Sequence, residues 1–118
     1  MDRKEMLREY KERRVPMGVY RVRCTVTSDS LVAASKDVNS LLNRHRAQLR
    51  TNGHPSRALQ AAWNTHGADA FTFEVLEFLE PPEQPDYNPL DDLTILEEIW
   101  LEKLGMAPDK IHTIARQR

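Results

Sequence analysis

A chain of 118 residues with 40% hydrophobic residues and a single cysteine is sized for one domain with its own apolar core, and one cysteine excludes both a disulfide framework and a cysteine-based metal cluster. No apolar run reaches the roughly 18 residues of a membrane helix, and MDRKEMLREYKERR lacks the apolar stretch of a signal peptide; the expectation is a cytoplasmic protein. The net charge of -1 hides a division, because residues 1–60 hold 13 Lys and Arg against 6 Asp and Glu while residues 61–118 hold 4 against 12: the two halves pair on folding, or the basic one faces phosphates.

Residues 2–14 are predicted to form a helix with Asp2 as N-cap, stopping before Pro16. Its thin apolar content, Met6, Leu7 and Tyr10, suits the edge of a domain. GVYRVRCTV alternates, placing Tyr20, Val22, Cys24 and Val26 on one face and Arg21, Arg23 and Thr25 on the other, so 18–26 reads as a half-buried strand. TSDS turns the chain into LVAAS, and the pair reads as an antiparallel hairpin. Val38, Leu41, Leu42, His45 and Leu49 share one face of a helix opened by Asp37 or Ser35 and closed near Gly53. Pro55 and Ser56 start another, carrying Ala58, Leu59, Ala62 and Trp63 and ending at Gly67. FTFEVLEFL has the composition of a third strand, and the proline-rich PPEQPDYNP is a loop. The last helix, about Leu90 to Leu104, is expected to turn Leu93, Leu96, Ile99, Trp100 and Leu104 inward. The order is α-β-β-α-α-β-α in one domain over 1–118, with a helical extension at 1–15 and a tail at 106–118.

That order, the opening GVY and the segment NRHRAQLRTNGHPSRALQAAWNTHG together resemble the GIY-YIG nuclease family from about Met17 to Leu104. Arg44 and His45 follow the hairpin, His54 follows their helix, Leu59, Gln60, Trp63 and Gly67 come next, and Glu97 precedes Trp100 and Leu101. The resemblance implies an α+β fold, a small three-stranded antiparallel sheet flanked by helices. In an active member it also implies hydrolysis of a DNA phosphodiester with Mg²⁺ or Mn²⁺, Tyr20 being the first-motif tyrosine and Glu97 the metal ligand. The second motif departs: Leu31, Val32 and Ala33 stand where the family has Tyr-Ile-Gly or Tyr-Val-Gly, and Leu41 stands where it places a helical arginine. Arg44, about 4.5 Å further along the helix, is a candidate substitute.

The candidate catalytic residues are therefore Tyr20, Arg44 and His45. Each has a plainer reading beside it: Tyr20 as a core aromatic, His45 as a buried, hydrogen-bonded core histidine. Glu97 is a hard oxygen ligand suited to Mg²⁺ or Mn²⁺, or an ordinary solvent-facing acid. His54 precedes a helix N-terminus, where backbone N–H groups attract phosphate, or is a loop polar residue. With Arg46, Arg50 and Arg57 it forms the candidate nucleic-acid contact. Tyr20, Arg44, His45 and Glu97 are expected to converge on one groove. No glycine-rich phosphate loop, GxSxG elbow or HExxH pair is present, and Cys24 reads as a small buried thiol. Three functions stay open: a nucleic-acid-binding module with reduced or absent phosphodiesterase activity, a divergent metal-dependent DNA endonuclease, and a protein-interaction or regulatory domain. DNA is the expected partner of the first two.

Overall fold

The computed structural model describes residues 2–4, 15–83 and 86–106; most of the expected N-terminal helix and nearly all of the tail lie outside them. Strands β1 (Gly18–Cys24), β2 (Ser30–Ser35) and β3 (Phe71–Phe78) form one antiparallel sheet in the order β2-β1-β3. Tyr20 sits opposite Ala33 on β2 and Val75 on β3. Helices α1 (Val38–Arg50), α2 (Arg57–His66) and α3 (Leu90–Lys103) pack on this sheet, with a short 3-10 turn at Ala68–Ala70 leading into β3.

Side-chain alternation along β1 divides the molecule into layers. Tyr20, Val22 and Cys24 point to one face, where Leu31 and Ala33 join Val38, Leu42 and Leu49 of α1 and Leu59 and Ala62 of α2 in the main core. Val19 and Val32 point to the other face and pack against Leu101 of α3. Among charged groups, Arg21 pairs with its cross-strand neighbour Glu74, one contact in which the basic and acidic halves meet.

Local signals explain the helix starts. Asp37 caps α1 by accepting the Ser40 N–H at 3.1 Å, and Ser35 supports it by accepting the Asp37 N–H at 2.9 Å. Ser56 caps α2 through the Leu59 N–H at 3.3 Å. Gly67 ends α2 with φ 83°, but its ψ of 175° takes the chain out extended rather than into the left-handed helical turn.

Two expectations are corrected. The first strand stops at Cys24, because the Ser28 N–H closes a turn onto the Cys24 carbonyl; Val26 lies in that turn and is 61% exposed. The inward stripe of α3 is Leu93, Glu97 and Leu101 at i, i+4 and i+8, with Leu96 and Trp100 partly buried beside it as expected and Ile99 and Leu104 exposed. The helix is turned so that Leu101 packs with Val19 and Val32, and that rotation draws Glu97 inside.

Gly18 permits the close approach of β1 to β3 beside the register shift at Val19 and Tyr20. A Cβ at position 18 would fall on the Glu77 carbonyl oxygen and against Phe78 Cα. Backbone atoms cannot swing aside as a side chain would. Gly18→Ala should therefore destabilise the fold by about 1–3 kcal/mol or more, and urea unfolding of the two proteins checks it.

Candidate functional site

The site grows from three neighbouring elements. β1 turns Tyr20 onto the α1–α2 side, α1 carries His45 on its buried stripe with Val38, Leu42 and Leu49, and the α1–α2 connection brings in His54. Tyr20 Oη lies 2.9 Å from His45 Nε2, and His45 Nδ1 lies 2.8 Å from His54 Nε2. At the far end, His54 Nδ1 accepts the Ser56 main-chain N–H at 3.0 Å. The rings follow one another with centroid separations of 5.5 and 5.0 Å. All three side chains are buried, Tyr20 completely.

Gln60 builds the turn that holds His54. Its Oε1 accepts the His54 N–H at 3.0 Å, and its Nε2 donates to the Leu49 carbonyl at 3.0 Å and to Asn64 Oδ1 at 3.1 Å. One buried amide thus ties the end of α1, the connecting turn and α2 together, which fixes how far His54 stands from His45. In the sequence Gln60 stands out only as part of the Leu59–Gln60 pattern. The signal that could have found it is a glutamine between Leu59 and Ala62 on the inward side of a helix, where a polar group must find partners.

Glu97 enters from the other layer. Glu97 is 1% exposed, and its Oε2 accepts the Ala34 N–H at 3.0 Å on the edge strand β2. Ala34 follows Ala33, the cross-strand partner of Tyr20. Glu97 therefore meets the edge of the sheet one residue along from the tyrosine's cross-strand neighbour. Leu31 is fully buried in the core with Tyr20, and Leu41 packs partly buried against the same cluster.

Two solved structures resemble this arrangement. The catalytic domain of the homing endonuclease I-TevI matches with a TM-score of 0.58 at 28% identity, covering 75% of this chain and 88% of that one. A glutamate-to-alanine mutant of the catalytic domain of the intron endonuclease I-TevI matches with a TM-score of 0.60 at 25% identity, covering 77% of this chain and 86% of that one. The chain has a GIY-YIG-like fold. No protein-family model and no curated protein matches the sequence.

On this GIY-YIG-like fold the remaining predicted residues divide by exposure. Arg44, Arg46, Arg50 and Arg57 are all exposed, and the Arg46 guanidinium lies 4.5 Å from the Phe73 ring centroid, a cation–π contact. Arg44 stays at the surface of α1 while His45 next to it turns inward. His54 is 7% exposed with its ring directed to His45 and Ser56 while Gln60 holds its backbone, so the ring faces the interior.

The geometry does not suit a hydrated divalent cation at Glu97. Glu97 is 1% exposed, so its carboxylate offers little solvent-facing surface to a Mg²⁺ that retains several waters, and among the described residues no group of three His, Cys, Asp or Glu side chains could hold a metal ion.

Burial holds His54 below the ordinary histidine value. The unfolded chain then takes up this proton at a higher pH than the folded one, so stability is full above about pH 6.5 and declines as pH falls below it. The slope from one such group is at most about 1.4 kcal/mol per pH unit. Melting curves from pH 8 to pH 5 should show the decline, and His54→Gln should make it shallower; an equal slope in both proteins would assign it elsewhere.

Proposed function

We propose that this protein is a nuclease-like domain that binds nucleic acid, DNA first, with reduced or absent phosphodiesterase activity. The observation that carries the reading is a contrast between two sets of residues. Arg44, Arg46, Arg50 and Arg57 are exposed, whereas Tyr20, His45 and Glu97 are enclosed and aliphatic Leu31 and Leu41 stand where the resemblance implies a phenol and a guanidinium. Exposed arginines suit a phosphate backbone, which they position without reading sequence. Enclosed polar groups flanked by hydrocarbon are poorly placed to meet a reacting phosphate.

Fluorescence anisotropy with labelled duplex and branched DNA tests the binding. The wild type should bind both, and the combined Arg44→Ala, Arg46→Ala, Arg50→Ala and Arg57→Ala variant should lose about tenfold or more in affinity while still melting cooperatively. Equal affinity of a folded variant would overturn the assignment of this surface. A divergent endonuclease is the second reading, favoured by the intact hydrogen-bonded Tyr20–His45 pair. It would require Glu97 to become accessible to Mg²⁺ or Mn²⁺.

A further inference from the structure

We infer that the Ser56 main-chain N–H sets the proton positions on both buried histidines, making His54 a positioning residue that orients a His45 Nε2–H donor onto the Tyr20 phenol oxygen. A backbone N–H cannot change tautomer, so the chain of hydrogen bonds has one fixed end. Because His54 Nδ1 accepts the Ser56 N–H at 3.0 Å, that nitrogen carries no proton, and a neutral His54 must carry its proton on Nε2. His54 Nε2 lies 2.8 Å from His45 Nδ1. Only one hydrogen fits between them, so His45 Nδ1 is the acceptor and the His45 proton resides on Nε2. His45 Nε2 in turn lies 2.9 Å from Tyr20 Oη, and the hydroxyl oxygen accepts there. The phenol's own hydrogen is directed elsewhere than to His45.

The opposite polarity fails at a named atom. If the phenol donated to His45 Nε2, the neutral His45 would present Nδ1–H to His54 Nε2–H, and two hydrogens would face each other across 2.8 Å. Protonating His45 creates the same clash. Protonating His54 sets its Nδ1–H against the Ser56 N–H. A second proton on either ring thus meets another hydrogen within the chain of bonds, and for His54 burial also lowers the proton affinity.

The consequence is chemical. An N–H donor aimed at the phenol oxygen favours the phenolate over the phenol, whereas an imidazole lone pair there would only accept the phenol's proton. Ser56, an ordinary cap for α2, thereby gains a second role through its backbone, and Gln60 keeps its distance by holding the His54 turn. The value of this arrangement for catalysis rests on the nuclease-like reading; the tautomers themselves do not.

Two-bond ¹⁵N–¹H correlation spectra of the full-length ¹⁵N-labelled protein at pH 8 test it, with His45 and His54 assigned by single His→Gln variants. Both rings should show a protonated Nε2 and an unprotonated Nδ1. A His45 with its proton on Nδ1, or one exchanging between tautomers, would overturn the inference. Ser56→Ala keeps the backbone N–H, so it should lower the melting temperature by loss of the cap and leave both tautomers unchanged. His54→Phe removes the donor to His45 Nδ1 and should release His45 into a mixture of tautomers; an unmixed Nε2–H form in the folded variant would show that His54 positions nothing. Should His54→Phe fail to fold, the wild-type spectrum still decides the proton positions. Absence of DNA binding with the expected tautomers would remove only the functional reading, and a reversed His45 with DNA binding intact would remove only this one.

Discussion

Wild-type protein incubated with duplex or branched DNA and Mg²⁺ or Mn²⁺ is expected to yield product very slowly or not at all. Leu31 has no donor or acceptor to position water, and Leu41 brings no charge to a phosphate. Removing one preorganised donor from an active site costs about 10² to 10³ in rate, so two independent losses amount to about 10⁴ to 10⁶. Burial adds to this, because Tyr20 is fully enclosed and Glu97 is 1% exposed. Gel-resolved cleavage over long incubations measures the residual rate. The triple variant Leu31→Tyr, Ala33→Gly and Leu41→Arg restores the side chains that the resemblance implies, and a gain of activity there would locate the defect. Ala33 lies opposite Tyr20, and its reduction to glycine makes room beside the new phenol. Forcing a ring into the packed Leu31 position should still cost about 1–3 kcal/mol, so melting must accompany the assay. Brisk cleavage by the unmodified protein, abolished by Glu97→Gln, would reject the binding-module reading in favour of the endonuclease.

Much of this architecture was legible because short-range physics dictated it. Alternation placed Tyr20, Val22 and Cys24 together inside, and the Asp37 and Ser56 caps marked the starts of α1 and α2. What the pattern could not supply was rotation and termination. Of the apolar stripe Leu93, Leu96, Ile99, Trp100 and Leu104, Leu93 is buried and Leu96 and Trp100 pack partly buried, but Ile99 and Leu104 are exposed and Glu97 and Leu101 turn inward, since the packing of Leu101 with Val19 and Val32 is a tertiary fact. Val26 keeps the alternation of β1 while the Ser28 turn has already ended the ladder. His54 illustrates the same limit at the site. Its position before a helix suggested an anion contact; that the Gln60 amide, six residues on, holds its backbone with the ring toward His45 is not written in that position. The resemblance implied only that Tyr20 and His45 share a groove; their direct hydrogen bond, and the order His54, His45, Tyr20, are tertiary facts.

Association with DNA should weaken steeply as salt rises, with little regard to sequence. Each phosphate neutralised on duplex DNA contributes a slope of about −0.9 in log affinity against log salt. If Arg44, Arg46, Arg50 and Arg57 each meet one, going from 50 to 200 mM salt should cost about 150-fold. The acidic balance of residues 61–118, 12 Asp and Glu against 4 Lys and Arg, adds repulsion that is itself screened, which makes the measured slope shallower than four full contacts would give. Arg46 offers an internal comparison, because its guanidinium is held over Phe73. Prior ordering of that side chain leaves less entropy to lose on binding, so Arg46→Ala should weaken affinity more than Arg57→Ala, although each removes one contact and reduces the slope by about 0.9. Anisotropy titrations of two unrelated duplexes at four salt concentrations provide the slopes. Affinity that ignores salt, or that differs widely between the duplexes, would mean that base edges or apolar contacts, and not these arginines, carry the binding.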